Sequence, residues 1–276
     1  MERSIMCLLS SLQEYLQFHA RHHCEVVCSP PFTLFFHPTN ARSWANYALP
    51  DASEPGDLSE SLAVLPRLFT QRNRTASLRF LEEVFPHFLP VLHLCGWAEV
   101  ERPQVMICTR ETFRSALTVM GLAITTLSPQ SLLEEICEGL DTSAFGFDPQ
   151  AERATLQEAE EFRHDLMHTQ MFLARLQHQS VGAGKLTEVH EGVAELMGIT
   201  TLSPFRRQGI ASAVTAFMTQ EAFRQGATCV FLLAGNVQAG RVYERVGFRP
   251  VATLLVYEWS ASLQAVTDES VCRSRC

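Results

Sequence analysis

The chain has 276 residues, which at about 150 residues per domain is one large domain or two modest ones. Apolar residues make up 46% and charged residues 19%, so a disordered or fibrous chain is excluded. Lys plus Arg number 22 against 30 Asp plus Glu, a formal net charge of −8, which argues against a general nucleic-acid binder with a clustered basic face. No run approaches the ~18 consecutive apolar residues of a membrane span. The short apolar stretch 5–9 follows Glu2 and makes a poor secretion signal. Nine cysteines are scattered without a CxxC pair, as expected of free thiols in a reducing compartment. A soluble, cytoplasmic protein with neither a membrane nor a nucleic-acid partner is expected.

In chain order, an amphipathic helix is predicted over 4–21, then strands at 25–28 and 32–37. The polar stretch 51–61, with Pro55-Gly56, reads as an exposed loop. Helices follow at 62–71 and 76–96, the second because Leu78, Leu81, Phe85, Phe88 and Leu92 recur at helical spacing. A strand at 105–109 and an apolar run at 117–127 lead to Ser128-Pro129, where a domain boundary is placed. Beyond it come helices at 131–138 and 150–166 and strands at 171–176, 182–189 and 192–202. A long helix at 209–225 is ended by Gly226. A strand at 228–233, a short helix at 237–246 and a strand pair at 248–259 complete the pattern. Strands alternating with helices indicate an α/β fold with a mixed sheet. The domains expected are 1–128 and 129–260, with 261–276 a disordered tail.

The segment Arg206-Arg207-Gln208-Gly209-Ile210-Ala211 joins an apolar strand to an amphipathic helix. A glycine and a small residue there let the free N–H groups of the first helical turn approach an anion, helped by the helix dipole and the basic flank. Tight turns need glycine as well, so the junction alone leaves phosphate binding and a plain turn both open. In the preceding strand Glu195 shares a face with Val193, Met197 and Ile199. A carboxylate among apolar neighbours suits a general base, and equally an edge charge or an ion pair. Gly198 suggests a bulge that leaves backbone groups free to pair with an amide-containing ligand. Downstream, Tyr243 sits on a short helix after a strand, where it is either a packed tyrosine or an acid.

Taken together, Arg206, Gly209 and Ala211, followed by Asn236, Tyr243, Gly247 and Phe248, resemble the GNAT superfamily of acyl-CoA-dependent N-acetyltransferases. The resemblance covers residues 170–257 closely and 127–168 loosely. It implies acetyl-CoA as cosubstrate, with the backbone amides of Arg207, Gln208, Gly209, Ile210 and Ala211 around its pyrophosphate. It also implies backbone pairing of Ile199 and Thr201 with the pantetheine amides, and Asn236 beside that arm. Tyr243 takes the place of the family's general acid, and Glu195 that of the base used in the histone-acetyltransferase branch. Direct attack in a ternary complex requires no catalytic cysteine and no metal, and none is expected. His164 and His168, four apart, are read as ordinary surface or core histidines.

The first half resembles an eroded GNAT half, in which Gly96-Trp97 mimics Gly247-Phe248 and the pyrophosphate loop is missing. The fold expected is therefore a mixed-sheet GNAT-like acyl-CoA N-acyltransferase fold preceded by a degenerate GNAT-like α/β domain. Arg42, Trp44 and Tyr47 are candidate acceptor contacts. The expected reaction moves an acetyl or short acyl group to a primary amine of a small molecule. Acetylation of a protein N-terminus or lysine, and a non-catalytic acyl-CoA-binding module, are the alternatives.

Overall fold

The computed structural model describes residues 2–51 and 57–260, so Pro55-Gly56 and the expected tail 261–276 lie outside the described residues. The chain divides into two compact units. One takes the chain up to Pro103 and again from Ala252; the other is Gln104–Val251.

The first unit opens with α1 (Glu2–His23) and the strands β1 (Glu25–Ser29), β2 (Phe32–Phe36) and β3 (Asn46–Pro50). Helix α2 (Leu58–Thr70) is started by Asp57, whose carboxylate accepts from the N–H of Ser59 at 2.9 Å. The stretch expected as one helix over 76–96 is instead the strand β4 (Ser77–Leu81), a short turn and the six-residue helix α3 (Leu89–Leu94). Leu78 and Phe80 are fully buried, and so are Ser77 and Leu81 on the other side of the strand. A strand buried on both faces has no two-residue alternation to betray it. Pro86 and Pro90 then break any helix that its leucines suggest. β5 (Trp97–Glu101) follows. The sheet is completed by β12 (Arg249–Trp259), which lies antiparallel to both β4 and β5.

The second unit begins with β6 (Gln104–Thr109) and β7 (Leu122–Leu127), followed by α4 (Leu133–Phe147) and α5 (Leu156–Asp165). Next come β8 (Thr169–Leu176), β9 (Gln179–Thr187), β10 (Val193–Thr201), α6 (Ile210–Arg224), β11 (Cys229–Ala234) and α7 (Val237–Val246). The sheet order is β6-β11-β10-β9-β8-β7, antiparallel throughout except for β10 and β11. That parallel pair needs a crossover, and α6 supplies it. Ile210, Val214, Met218 and Ala222, one helical turn apart, form the buried stripe of α6.

The boundary expected at 128 falls inside this unit, because β6 and β7 pair with β11 and β8. The last strand, expected in the second domain as part of a pair, is a single strand of the first unit's sheet. The first unit therefore holds a strand from the far end of the chain, and the second begins within the expected first domain.

α4 runs on past 138 to Phe147 and reaches the end of β10. A Cβ at Gly146 would overlap the Thr200 side chain, so only glycine lets the helix come this close. Gly146→Ala should destabilise the protein by about 1–3 kcal/mol through overpacking, measured as a lower urea midpoint.

The seven cysteines described are free thiols; Cys7 and Cys28 are exposed, whereas Cys108 and Cys229 are buried. Burial pushes the Cys229 thiol up to about 12. Iodoacetamide at mildly alkaline pH should modify Cys7 and Cys28 in the native protein, and Cys108 and Cys229 only after unfolding, as read by mass spectrometry.

Candidate active site

The site is built where β10 parts from β11. Their parallel register runs from Val193 opposite Cys229 to Leu196 opposite Leu232 and then stops, although both strands continue. On its other edge β10 steps from Met197 opposite Lys185 to Thr200 opposite Ala183, three residues against two. The extra residue is a bulge at Gly198, whose φ is +61°. The bulge turns the backbone of 197–201 away from β11. It also ends the alternation that places Val193, Glu195 and Met197 on one face. Ile199 accordingly does not share the face of Glu195: it packs against the core cluster that contains Ile210, Val214 and Met218 of α6.

The segment after β10 is shaped by backbone geometry. Arg207 has φ 68°, and Gly209, the residue capping α6, sits at φ 83°, ψ 0°. No side chain among the described residues caps this helix. The helix begins with the Ala213 N–H bonding to the Gly209 carbonyl at 3.0 Å, so by geometry the N–H groups of its first turn have no intrahelical partner. Ile210 is anchored in the core, whereas Arg207, Gln208 and Gly209 are exposed. Together these features present a ring of backbone donors to solvent.

Arg206 has a different part from its neighbours. Its Nε donates to the Thr201 carbonyl at 3.1 Å and its Nη2 to the Gly146 carbonyl at 2.8 Å. The guanidinium thus ties the loop to the end of β10 and to the last turn of α4. Thr201 is buried, and its hydroxyl has no hydrogen-bond partner among the described residues.

Glu195 is 6% exposed. Its N–H donates to the Thr187 hydroxyl at 2.8 Å, and that hydroxyl donates to the Glu195 carbonyl at 3.1 Å. Ladder partners face the same way, so Glu195 and Met197 share a face with Lys185 and Thr187. That is the α5 side, because the Lys185 ammonium lies 4.4 Å from the centre of the Phe162 ring. Tyr243 is 8% exposed, belongs to the core cluster on the α6 side, and its ring centre is 6.2 Å from that of Phe248. Burial pushes its phenol above the ordinary value, which keeps the hydroxyl protonated. Glu195 and Tyr243 therefore stand on opposite faces of the sheet whose two strands part.

Residues 133–248 match the sequence model of the acetyltransferase (GNAT) family. This segment is a GNAT acetyltransferase domain. A GCN5-related N-acetyltransferase from Kribbella flavida is similar in structure over 92% of this chain and 96% of its own, at 23% identity and a TM-score of 0.75. Another, from Sphaerobacter thermophilus, is 17% identical over 83% of this chain and 76% of its own, with a TM-score of 0.61. A tandem GNAT protein from the clavulanic acid biosynthesis pathway is 10% identical over 82% of this chain and 77% of its own, also with a TM-score of 0.61. No curated protein matches the sequence. The likenesses show the fold, a mixed-sheet GNAT fold preceded by a second GNAT-like α/β domain.

Within the GNAT domain, Asn236 is first of all a helix cap. Its Oδ1 accepts from the Ala239 N–H at 2.9 Å, and so fixes the start of the helix that carries Tyr243. Gly247, at φ 103°, ends that helix, and a Cβ there would overlap the Thr112 carbonyl. His168 lies beyond the end of α5, so it does not share a helix face with His164; its Nδ1 pairs with Glu188 at 2.8 Å. In the first domain, Trp44 is 57% exposed, whereas the Tyr47 ring is covered by the Arg79 guanidinium at 4.2 Å.

Three supports of the site carry no sequence signal. They are Gly146 beneath Thr200, Thr187 behind Glu195, and Val119 beside Gly209. A Cβ at Gly209 would make an ordinary 3.5 Å contact with Val119 Cγ2, so a larger residue there acts on the loop backbone rather than on the packing. At φ 83° a β-branched residue is strained. Acetyl-CoA at about 100 times its dissociation constant should add about 2.7 kcal/mol to the wild-type protein. The thermal shift should vanish in Gly209→Val, which itself stays folded.

Proposed function

We propose that the GNAT domain transfers an acetyl or other short acyl group from acyl-CoA to a primary amine of a small molecule, by direct attack in a ternary complex. The observation that carries this reading is the parting of β10 from β11 at Leu196, followed thirteen residues later by the uncapped turn at Gly209. The first offers free strand backbone to a ligand with amide groups, and the second offers donors to a diphosphate. The residues present fit the donor: the backbone of Ile199 and Thr201 pairs with the pantetheine amides. The N–H groups of Arg207, Gln208, Gly209, Ile210 and Ala211 hold the pyrophosphate, Arg206 braces the loop, and Asn236 lies beside the pantetheine arm.

An ammonium has no lone pair with which to attack a thioester, so its proton must leave first. Glu195, on the α5 side, takes that proton directly or through a water. The amine nitrogen then forms the amide bond as the carbon–sulfur bond breaks. The departing thiolate is met from the α6 side by the Tyr243 hydroxyl, which supplies the proton. Base and acid on opposite faces of the sheet suit a reaction in which the amine enters on one side and the thiol leaves on the other. The net charge of −8 favours approach of a cationic amine.

Tyr243→Phe should lower turnover by about 10²–10⁴-fold, the usual worth of a general acid, with acetyl-CoA affinity nearly unchanged. Thiol release against a panel of small amines, beside a peptide bearing a free N-terminus and a lysine, measures both the role and the acceptor class. Equal turnover in the variant would remove Tyr243 as the acid. Because burial raises the phenol, wild-type turnover should show no loss from its ionisation through neutral and mildly alkaline pH.

A further inference from the structure

Between β6 and β7 the chain crosses the outer side of α6 as a strap, residues 110–121. It is pinned at the helix's C-terminal end, where the Arg110 guanidinium donates to the Phe223 carbonyl and Phe113 meets the Phe223 ring edge-on at 5.8 Å. The Arg114 N–H donates to the Val246 carbonyl at 2.9 Å. At the N-terminal end Val119 packs against the core and lies beside Gly209. A strap fixed at both ends has its apolar side chains available to point inward, and Phe113, Ala116 and Val119 do so. Leu117 and Met120 do not: they are 91% and 93% exposed.

We propose that Leu117 and Met120 form a ledge for the nucleotide end of acyl-CoA, against which the adenine ring rests. This rests on the coenzyme reading above and names a part of that site which the family's loop motif does not include. The occupant follows from connectivity. Met120 is the neighbour of Val119, Val119 lies beside Gly209, and Gly209 is where the pyrophosphate is held. The group covalently attached to that pyrophosphate is adenosine, so it must lie close to the loop. A purine face is flat and apolar, and it gains from contact with a thioether and a branched alkyl chain. The exposed Arg207 puts positive charge at this end of α6, which suits the additional phosphate of the coenzyme's ribose.

The test uses the full-length protein with Leu117→Ser and Met120→Ser combined. Both side chains are in solvent, so the variant should keep the wild-type melting temperature. Three probes are titrated: acetyl-CoA, adenosine 3′,5′-bisphosphate and acetyl-pantetheine, which lacks the nucleotide. The ledge predicts that affinity for acetyl-CoA and for the bisphosphate falls about tenfold, the scale of one lost apolar contact, while acetyl-pantetheine binding is unchanged. Unchanged acetyl-CoA affinity in the variant would overturn the ledge alone, and an equal loss for acetyl-pantetheine would do the same. Loss of a wild-type dimer in the variant, with coenzyme affinity intact, would assign the two side chains to a second copy of the chain instead. A wild-type protein that binds none of the three probes would overturn the coenzyme reading itself.

Discussion

The candidate site depends on one departure from regular pairing. Two parallel strands that begin in register lose it after four residues, because β10 carries one residue more than β9 can match. Unpaired backbone in a protein interior costs free energy unless something answers it, so such a gap persists only where surrounding contacts fix it. Here they come from three sides. Gly146 brings α4 against Thr200, the Arg206 guanidinium joins the Thr201 and Gly146 carbonyls, and Ile210 roots the start of α6 in the core. What remains open is the edge facing β11 and the N-terminal turn of α6. These are the two places at which the proposed coenzyme, elongated and bearing amides and a diphosphate, would meet backbone partners.

The same contacts give the motif residues unequal parts. Arg206 opens the loop and is the residue by which the motif is recognised, yet its side chain is spent within the protein. Its charge reaches a bound anion only over a distance; its main effect is to set the angle at which the loop leaves β10. Asn236 is comparable, since capping α7 fixes the position of Tyr243 seven residues later. Glu195 and Tyr243 are held by the sheet and the core rather than by loops, so their positions are as rigid as the fold. Residues on the frame of a site and residues inside it thus share one short sequence pattern.

How much of this the sequence disclosed differs between the halves for physical reasons. In the GNAT domain the elements are long and their signals agree. The buried stripe of α6, Gly226 after its end and the strand-turn-helix around Gly209 all point the same way, and the structure places these elements as read. The bulge was legible too, through Gly198. In the first half β4 is buried on both faces, so its Leu78 and Phe80 carry no alternation, and β3 and β5 are five residues each. The supports of the site were invisible for another reason. Gly146 and Val119 matter only through neighbours distant along the chain, Thr200 and Gly209, and no local pattern records such a pairing.

The division of the chain followed neither composition nor the proline at 129, and its logic lies in the strands. β11 is flanked by β10 on one side and β6 on the other, and β6 comes from residues before the expected boundary. Phe231 and Leu232 of β11 are buried, as are Met106 and Cys108 of β6. Without β6, β11 would be an open edge of apolar residues directly beside the gap in which the coenzyme is proposed to lie. An open edge invites pairing with other strands, and β11 would then lack the support that keeps it fixed while β10 moves away. In the other direction, β12 lies between β4 and β5, so the first unit's sheet is incomplete until the last strand is made. The first unit is thus assembled from two segments of the chain, whereas the second is one continuous segment. The first half of the chain is accordingly more than an appendage to a working domain: its strand β6 flanks β11 in the sheet on which the proposed chemistry depends.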